Sequence, residues 1–327
     1  MNKTSAWEML KATASDWSED KASRLAAALA FYTLLSLAPL LVIAVSVAGL
    51  VFGDDAARGQ IAQQISGLVG PEAGKAIEEV LANANSKPAA GIVSTVVGVF
   101  VLLFSASGVF GELQDSLNTI WEVEPRPGRG VVGLLRDRFF SFTMVLGVAF
   151  LLLVSLVASA GLASLGHGLE QALPGGKTVW QVLNFVISLG VVTGLFALIY
   201  KVIPDAKVAW RDVGIGAFVT ALLFTLGKFA IGLYLGHSTV ASAYGAAGSV
   251  VVITVWVFYS AQILFMGAEF TQVYAQRHGS RIVPSDNAIP VTAEARAQQG
   301  MPSDEDRAQG IAVTSTGPSS DRRAAHA

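Results

Sequence analysis

Two ionisable residues lie within long apolar runs of this sequence, Lys228 and Glu269. A charge at bilayer depth costs roughly 2.5–3.5 kcal/mol on insertion scales, so each should face a cavity, a partner or the membrane interface. Lys228 lies about two helical turns from the end of its run, which favours snorkelling toward that interface. The alternative for Lys228 is contact with an anionic headgroup or substrate. Glu269 lies near a run's end, where a carboxylate can cap loop amides or face a cavity.

An ion pair between Lys228 and Glu269 is opposed by their predicted depths. At ~1.5 Å per helical residue, Lys228 lies ~22 Å and Glu269 ~6 Å from the same membrane boundary. A side chain cannot close the remaining ~16 Å. The sequence therefore predicts two separate sites, both assigned to a candidate substrate or lipid pathway.

Three further residues belong to this candidate pathway: Tyr32, Pro39 and Tyr259. Pro39 lies in the middle of an apolar run, where proline removes one backbone hydrogen bond and kinks a helix. Such a kink serves either helix packing or a hinge or cavity wall. Tyr32 and Tyr259 either line a pocket for an amphiphile or pack between helices.

A group of carboxylates between two apolar runs raises the possibility of hydrolytic chemistry. Glu112 and Asp115 share one helical face, and Glu122 and Glu124 follow near its end. Metal-dependent nucleases cluster carboxylates and histidines around metal ions. Here the four histidines are scattered, and no H-x-x-x-H pattern occurs. We interpret Glu112 and Asp115 as solvated residues at the cytoplasmic boundary, and we assign no catalytic residue, metal site or cofactor.

The composition places all these residues in a membrane protein. Of 327 residues, 53% are apolar and 14% are charged, and the mean hydropathy is +0.56. Soluble domains carry about 25% charged residues. The net charge of −2 opposes a general affinity for nucleic acid, and the absence of cysteine excludes disulfides and thiolate catalysis.

Six apolar segments are long enough to cross a bilayer, and continuous runs favour helices over barrel strands. The predicted fold is an all-α polytopic membrane protein with six transmembrane helices. Seventeen of the 22 lysines and arginines fall in the N-terminal segment, two alternate loops and the C-terminal tail, which places both termini in the cytoplasm. The predicted spans are about 28–52, 89–110, 139–165, 178–200, 213–235 and 247–273, within a transmembrane domain at 28–277.

Three segments outside the spans have distinct patterns. Residues 1–27 contain an amphipathic juxtamembrane helix, and residues 53–88 contain two short amphipathic helices on the outer side. From residue 278 to 327 the sequence is polar without apolar periodicity, which predicts a disordered cytoplasmic tail.

Several motifs make the chain resemble one family of bacterial membrane proteins. They are AAALAFYTLLSLAPL at 26–40, SASGVF at 105–110 with LQDSLN at 113–118, PDAKV at 204–208 with WRD at 210–212, YGAAGSV at 244–250 and GAEFT at 267–271. In this order they resemble the YihY/virulence factor BrkB family, formerly labelled ribonuclease BN-like. The resemblance implies six spans, cytoplasmic termini and a location in the bacterial inner membrane, but no defined biochemical activity.

The leading functional hypothesis is transport or flipping of a lipid-like amphiphile of the cell envelope, with membrane lipids as partners. The alternative is a non-catalytic membrane scaffold or regulator, and a membrane-bound ribonuclease is the least favoured. A nucleotide-binding loop is not found in the sequence, which excludes self-contained ATP-driven transport. The sequence predicts a protein that is not an enzyme and does not bind nucleic acid.

Overall fold

The computed structural model describes residues 6–53, 108–127, 176–237 and 248–301, with isolated positions between residues 58 and 79 and at residue 104. This part of the chain is mostly helical. Three helical segments are long and apolar enough to cross a membrane, Gln181–Val202, Trp210–Tyr234 and Val250–Arg277. Among the six predicted spans, 28–52, 178–200, 213–235 and 247–273 coincide with long helices. Most of the spans 89–110 and 139–165, and most of the loop 53–88, lie outside the described residues.

The helices follow the apolar runs and end at recognisable signals. Ile203 and Pro204 directly follow the fourth helix, and proline is typical just beyond a helix end. In chain order, the helices are α1 (Ala6–Glu19), α2 (Ala22–Phe52), α3 (described over residues 108–120), α4 (Gly176–Val202), α5 (Trp210–His237), α6 (Gly248–Arg277) and α7 (Ala293–Gln298).

The junction between α1 and α2 is a left-handed backbone at Lys21, with φ of 52°. Two helices that would otherwise continue into one another are separated there. On α1, Trp7 and Leu10 are exposed and Trp17 packs against the core.

Close packing of α5 between α4 and α6 forms the centre of the described structure, and α6 also packs against α1 and α2. Glycine makes the α5–α6 approach possible. A Cβ atom placed at Gly216 would lie 2.8 Å from the Cβ atom of Thr271, and one at Gly267 would lie 2.8 Å from the Cβ atom of Thr220. Small residues at such positions let helix backbones approach closely.

Two short antiparallel strand pairs lie beyond the helix ends. They pair β1 (Val123–Pro125) with β4 (Ala288–Pro290) and β2 (Ala206–Lys207) with β3 (Val283–Pro284). The strands follow α3, α4 and α6 in the chain. The C-terminal ends of α3, α4 and α6 therefore lie at the same end of the structure. We call this end, which contains β1 to β4, the strand end.

The predicted disorder from residue 278 onward is wrong for residues 278–301. Strands β3 and β4 and helix α7 lie there, and Ala288, Ala297 and Met301 are buried. The polar composition misled the prediction because these strands are only two or three residues long and satisfy their backbone through partners far away in the sequence. Residues 302–327 lie outside the described residues.

Candidate functional site

Glu269 on α6 is the most unusual polar residue in the described structure. Its exposed fraction is 0%, and neither carboxylate oxygen has a hydrogen-bond partner among the described residues. Burying a carboxylate without hydrogen bonds costs several kcal/mol, on the order of the stabilities of whole domains. The side chain therefore needs a reason other than the stability of the fold.

One side of α6 near Glu269 is fixed by two hydrogen bonds, one from α4 and one from the residue just after α3. The Tyr200 hydroxyl of α4 donates to the Leu264 carbonyl at 2.7 Å and lies 3.0 Å from the Thr220 hydroxyl of α5. The Trp121 indole, just after α3, donates to the Ala268 carbonyl at 3.4 Å. These bonds fix the backbone that carries Glu269.

The opposite side of α6 faces the junction of α1 and α2. Gln262 donates to the Ser23 hydroxyl of α2 at 3.0 Å, and Glu269 follows seven residues later, on the same helical face. The charged groups that act on Glu269 are those of Asp20, Asp16, Arg296 and Glu122. Gln262 is half-buried, and its bond to Ser23 joins α6 to α2.

Arg296 of α7 reaches into this acidic group. Its guanidinium donates to Asp20 at 2.6 Å and to Glu122 at 3.1 Å, and the side chains of Arg296 and Asp20 are only 11% and 3% exposed. The helix is positioned by its N-cap, since the Thr292 hydroxyl accepts from the Ala295 amide at 3.2 Å. We call Asp16, Asp20, Glu122, Glu269 and Arg296 the acidic cluster.

Burial dominates the ionisation of the two aspartates of this cluster. It raises the pKa of Asp20 from 3.8 to about 7, against the attraction of Arg296. Burial, reinforced by the charge of Glu19, raises the pKa of Asp16 to about 6. Both groups therefore change protonation near neutral pH.

A second carboxylate at the strand end, Asp205, is hydrogen-bonded through one of its oxygens and through its backbone. Asp205 accepts from Asn118 at 3.0 Å and from Gln114 at 3.2 Å, and its own amide donates to the Asn118 side chain at 2.8 Å. Its carbonyl accepts from the Ser285 amide at 2.8 Å. Asp205 thus ties α3, the loop after α4 and the segment after α6 together.

The predicted site residues do not form one constellation. Lys228 is half-buried on α5, with its ammonium 5.8 Å from the ring centre of Phe229. Its neighbour Gly227 faces Tyr259 and Ile263 of α6, so Lys228 lies level with those residues. Glu269 lies two to three turns further along α6, and the structure keeps the two at different levels.

Tyr32, Tyr259 and Pro39 take different positions in the helices. Tyr32 is 40% exposed. A Cβ atom placed at Gly108 of α3 would lie 3.4 Å from the Cδ1 atom of the Tyr32 ring. The Tyr259 hydroxyl would lie 2.7 Å from a Cβ at Gly227. Both tyrosines therefore make interhelical packing contacts. Pro39 lies within α2, which continues as helix to Phe52.

The carboxylates Glu112 and Asp115 lie on α3, outside the acidic cluster. Asp115 is exposed, and Glu112 is half-buried. Burial, followed by repulsion from Asp115, raises the pKa of Glu112. Within the described residues, no group of three or more metal-ligating side chains is arranged to hold a metal ion.

Sequence reasoning missed Asp20 and Arg296 as charged neighbours of Glu269. A local signal for α7 exists, because Thr292 precedes the helix-forming run AEARAQ and threonine is a good N-cap. No local pattern pairs residue 296 with residue 20, since 276 positions separate them.

Comparisons with known proteins agree on one family. The family model described as virulence factor BrkB matches residues 13–290. A UPF0761 membrane protein of Pseudomonas paraeruginosa is 30% identical over 256 residues, which cover 76% of this chain and 58% of the relative. Another, of Pseudoalteromonas atlantica, is 29% identical over 75% of this chain and 78% of the relative. A third, of a Psychrobacter species, is 27% identical over 81% of this chain and 48% of the relative.

The chain thus spans only about half the length of several curated relatives that it matches. No solved structure matches this chain.

Proposed function

The chain belongs to the virulence factor BrkB family, and we propose that it moves a lipid-like amphiphile of the cell envelope across the bacterial inner membrane. One observation carries the proposal, the buried Glu269 without a hydrogen-bond partner among the described residues. An ionisable group within a bilayer-length helix is costly to keep, and such groups mark substrate or ion pathways.

The surroundings of Glu269 support an amphiphile as the substrate. On one side of Glu269, α6 continues as an apolar helix of membrane length. On the other side lie charged residues of α1, α3 and α7. A molecule with an apolar chain and a polar headgroup has the same division, so Glu269 lies where the two parts of such a molecule meet.

The sidedness belongs to the proposal as well. Lysines and arginines concentrate in the segments that meet at the strand end, and such segments stay on the cytoplasmic side of bacterial membranes. The acidic cluster then faces the cytoplasm, and the six spans cross the inner membrane. The proposed movement makes and breaks no covalent bond, so it assigns no catalytic, cofactor or metal-binding residue.

A lipid-scrambling assay tests the proposal. The purified protein is reconstituted into vesicles with a lipid whose acyl chain carries a nitrobenzoxadiazole dye, and dithionite bleaches the dye in the outer leaflet only. The wild-type protein should expose inner-leaflet dye faster than protein-free vesicles, and Glu269→Gln should slow this at least about tenfold, a change of about 1.4 kcal/mol.

Glu294→Gln is the matched control, because Glu294 is an exposed carboxylate on α7. It should leave the rate unchanged. A wild-type protein that moves lipid no faster than empty vesicles would overturn the proposal and leave a scaffold role as the better explanation.

A further inference from the structure

Carboxyl groups outnumber basic side chains around Glu269. The charged groups that act on Glu269 are Asp16 of α1, Asp20 of the following turn, Glu122 after α3 and Arg296 of α7, whereas Glu19 of α1 and Arg277 of α6 act on Asp16. Arg277 is exposed and donates to the Glu8 carbonyl at 3.5 Å. Arg296 is therefore the main buried cation for several carboxylates.

Arg296 leaves Glu269 unsatisfied. Its two terminal nitrogens donate to Asp20 and Glu122. Neither oxygen of Glu269 receives a hydrogen bond from a described residue. A buried carboxylate is stabilised by a group that brings both positive charge and N–H donors.

The chemistry of headgroups then selects one class. A primary ammonium has a positive charge and three N–H donors. A quaternary ammonium has the charge without the donors, and an anionic headgroup without an amine is repelled by the cluster. Building on the proposed function, we propose that the acidic cluster binds the primary ammonium of an aminophospholipid headgroup, with Glu269 as its principal acceptor.

The route to Glu269 involves Arg296. Because Glu269 has no exposed surface, a headgroup reaches it only after a covering element moves. Helix α7 is six residues long. Among the described residues after β4, its Arg296 is the basic side chain that reaches the cluster. The Arg296 guanidinium is the resident cation that the headgroup ammonium replaces, so the cluster keeps a cation throughout.

A binding experiment on the wild-type protein tests the site without relying on any variant. Short-chain phosphatidylethanolamine, its mono- and dimethylated forms and phosphatidylcholine are titrated into the detergent-purified protein, and the melting temperature is followed. Affinity should fall with each N–H that methylation removes, by about tenfold over the series, and phosphatidylglycerol should bind no better than phosphatidylcholine. Equal affinity along the series would overturn the inference.

Two variants locate the site. Glu269→Gln should remove the preference for phosphatidylethanolamine, whereas the exposed control Glu294→Gln should retain it. Arg296→Gln should bind phosphatidylethanolamine more tightly, because the competing guanidinium is gone. Retained preference in Glu269→Gln, or weaker binding by Arg296→Gln, would contradict the inference.

Binding and transport can fail separately. Amine-selective binding that depends on Glu269, in a protein that scrambles no lipid, would remove the proposed function and keep the site. The opposite result is a protein that scrambles phosphatidylethanolamine and phosphatidylglycerol at equal rates and binds them equally. That result would support lipid movement and contradict the aminophospholipid site.

Discussion

Asp205 and Glu269 are two carboxylates at the strand end with opposite surroundings. Asp205 accepts two side-chain hydrogen bonds, and its backbone amide and carbonyl are bonded as well. Glu269 is more deeply buried and has no hydrogen-bond partner among the described residues. Both lie in stretches on which the resemblance to the family rests, PDAKV and GAEFT.

The difference separates a structural carboxylate from a functional one. Removing the Asp205 carboxylate leaves the side-chain amides of Gln114 and Asn118 without this acceptor, so the fold should depend on Asp205. Removing an unbonded buried carboxylate takes away a cost, so the fold should not depend on Glu269. Proteins commonly accept lower stability at a working site.

The largest effect is expected at Asp205. Asp205→Ala should destabilise the protein by about 3 kcal/mol, because the amides of Gln114 and Asn118 lose a charged acceptor. The melting temperature in detergent measures this. The matched control is Lys207→Ala in the neighbouring strand β2, whose ion pair with Asp286 is exposed, so its melting temperature should stay close to that of the wild type.

Equal melting temperatures for Asp205→Ala and the wild type would break the comparison. Asp205 would then be no more structural than Glu269, and the hydrogen bonds of its loop would be replaceable by water.

The next effect concerns the helix contact that positions Glu269. Gly216→Ala should cost about 1–3 kcal/mol, since the new Cβ would lie 2.8 Å from the Cβ of Thr271 on the facing helix. Gly214→Ala is the matched control on the same helix, because no described atom lies within 4 Å of a Cβ placed there. The control should be neutral or slightly stabilising, as alanine favours helix over glycine.

Thermal melting of both variants gives the comparison. If Gly214→Ala and Gly216→Ala melt together, the α5–α6 approach is looser than described, and Glu269 is then not held by a rigid neighbour.

The sequence predicted the long helices and singled out Glu269, but it did not predict the contacts at the strand end. Glu269 stands out because it interrupts an apolar run, and four predicted spans coincide with helices of matching length. Helix formation depends on contacts three and four residues apart, which periodicity records.

The strand end was not accessible in the same way. The pairing of Val123 with Pro290, and of Arg296 with Asp20, joins positions more than 160 residues apart. Strands of two or three residues carry no periodicity, and a polar segment that pairs with distant partners has the same composition as a disordered one. Glu269 was therefore predicted as a residue, whereas its acidic surroundings were not.

A smaller effect should appear with pH. The pKa of Asp20 is raised to about 7 in the folded protein, so between its ordinary value of 3.8 and pH 7 the folded state binds more protons than the unfolded state. Stability therefore falls as pH rises through this window. The pKa of Asp16 is raised to about 6, so its titration also lowers stability as pH rises. The charged groups around the two aspartates include Glu122, Glu269 and Arg296.

Melting curves at pH 5, 6, 7 and 8 measure this dependence. The Asp20 contribution should weaken the protein by about 2–3 kcal/mol from pH 5 to pH 8. Asp20→Asn keeps an acceptor for Arg296 and should flatten the curve, whereas Asp115→Asn, an exposed control, should not. A slope that persists in Asp20→Asn would assign the titration to another group.

The smallest effect expected is the coupling between Lys228 and Glu269. Gly227 faces Tyr259 and Ile263, so Lys228 lies two to three turns from Glu269 along the packed pair α5 and α6. Lys228→Met and Glu269→Gln should each leave the melting temperature equal to or above that of the wild type, because each removes a charge that is costly within a span. In a double-mutant cycle their effects should add within ~0.5 kcal/mol, as expected for distant sites without shared partners.

A coupling above ~1 kcal/mol, or recovery of activity in a Lys228→Glu and Glu269→Lys exchange, would show that the two residues share a site. Glu269 would then have its missing partner in Lys228, and its contrast with Asp205 would disappear.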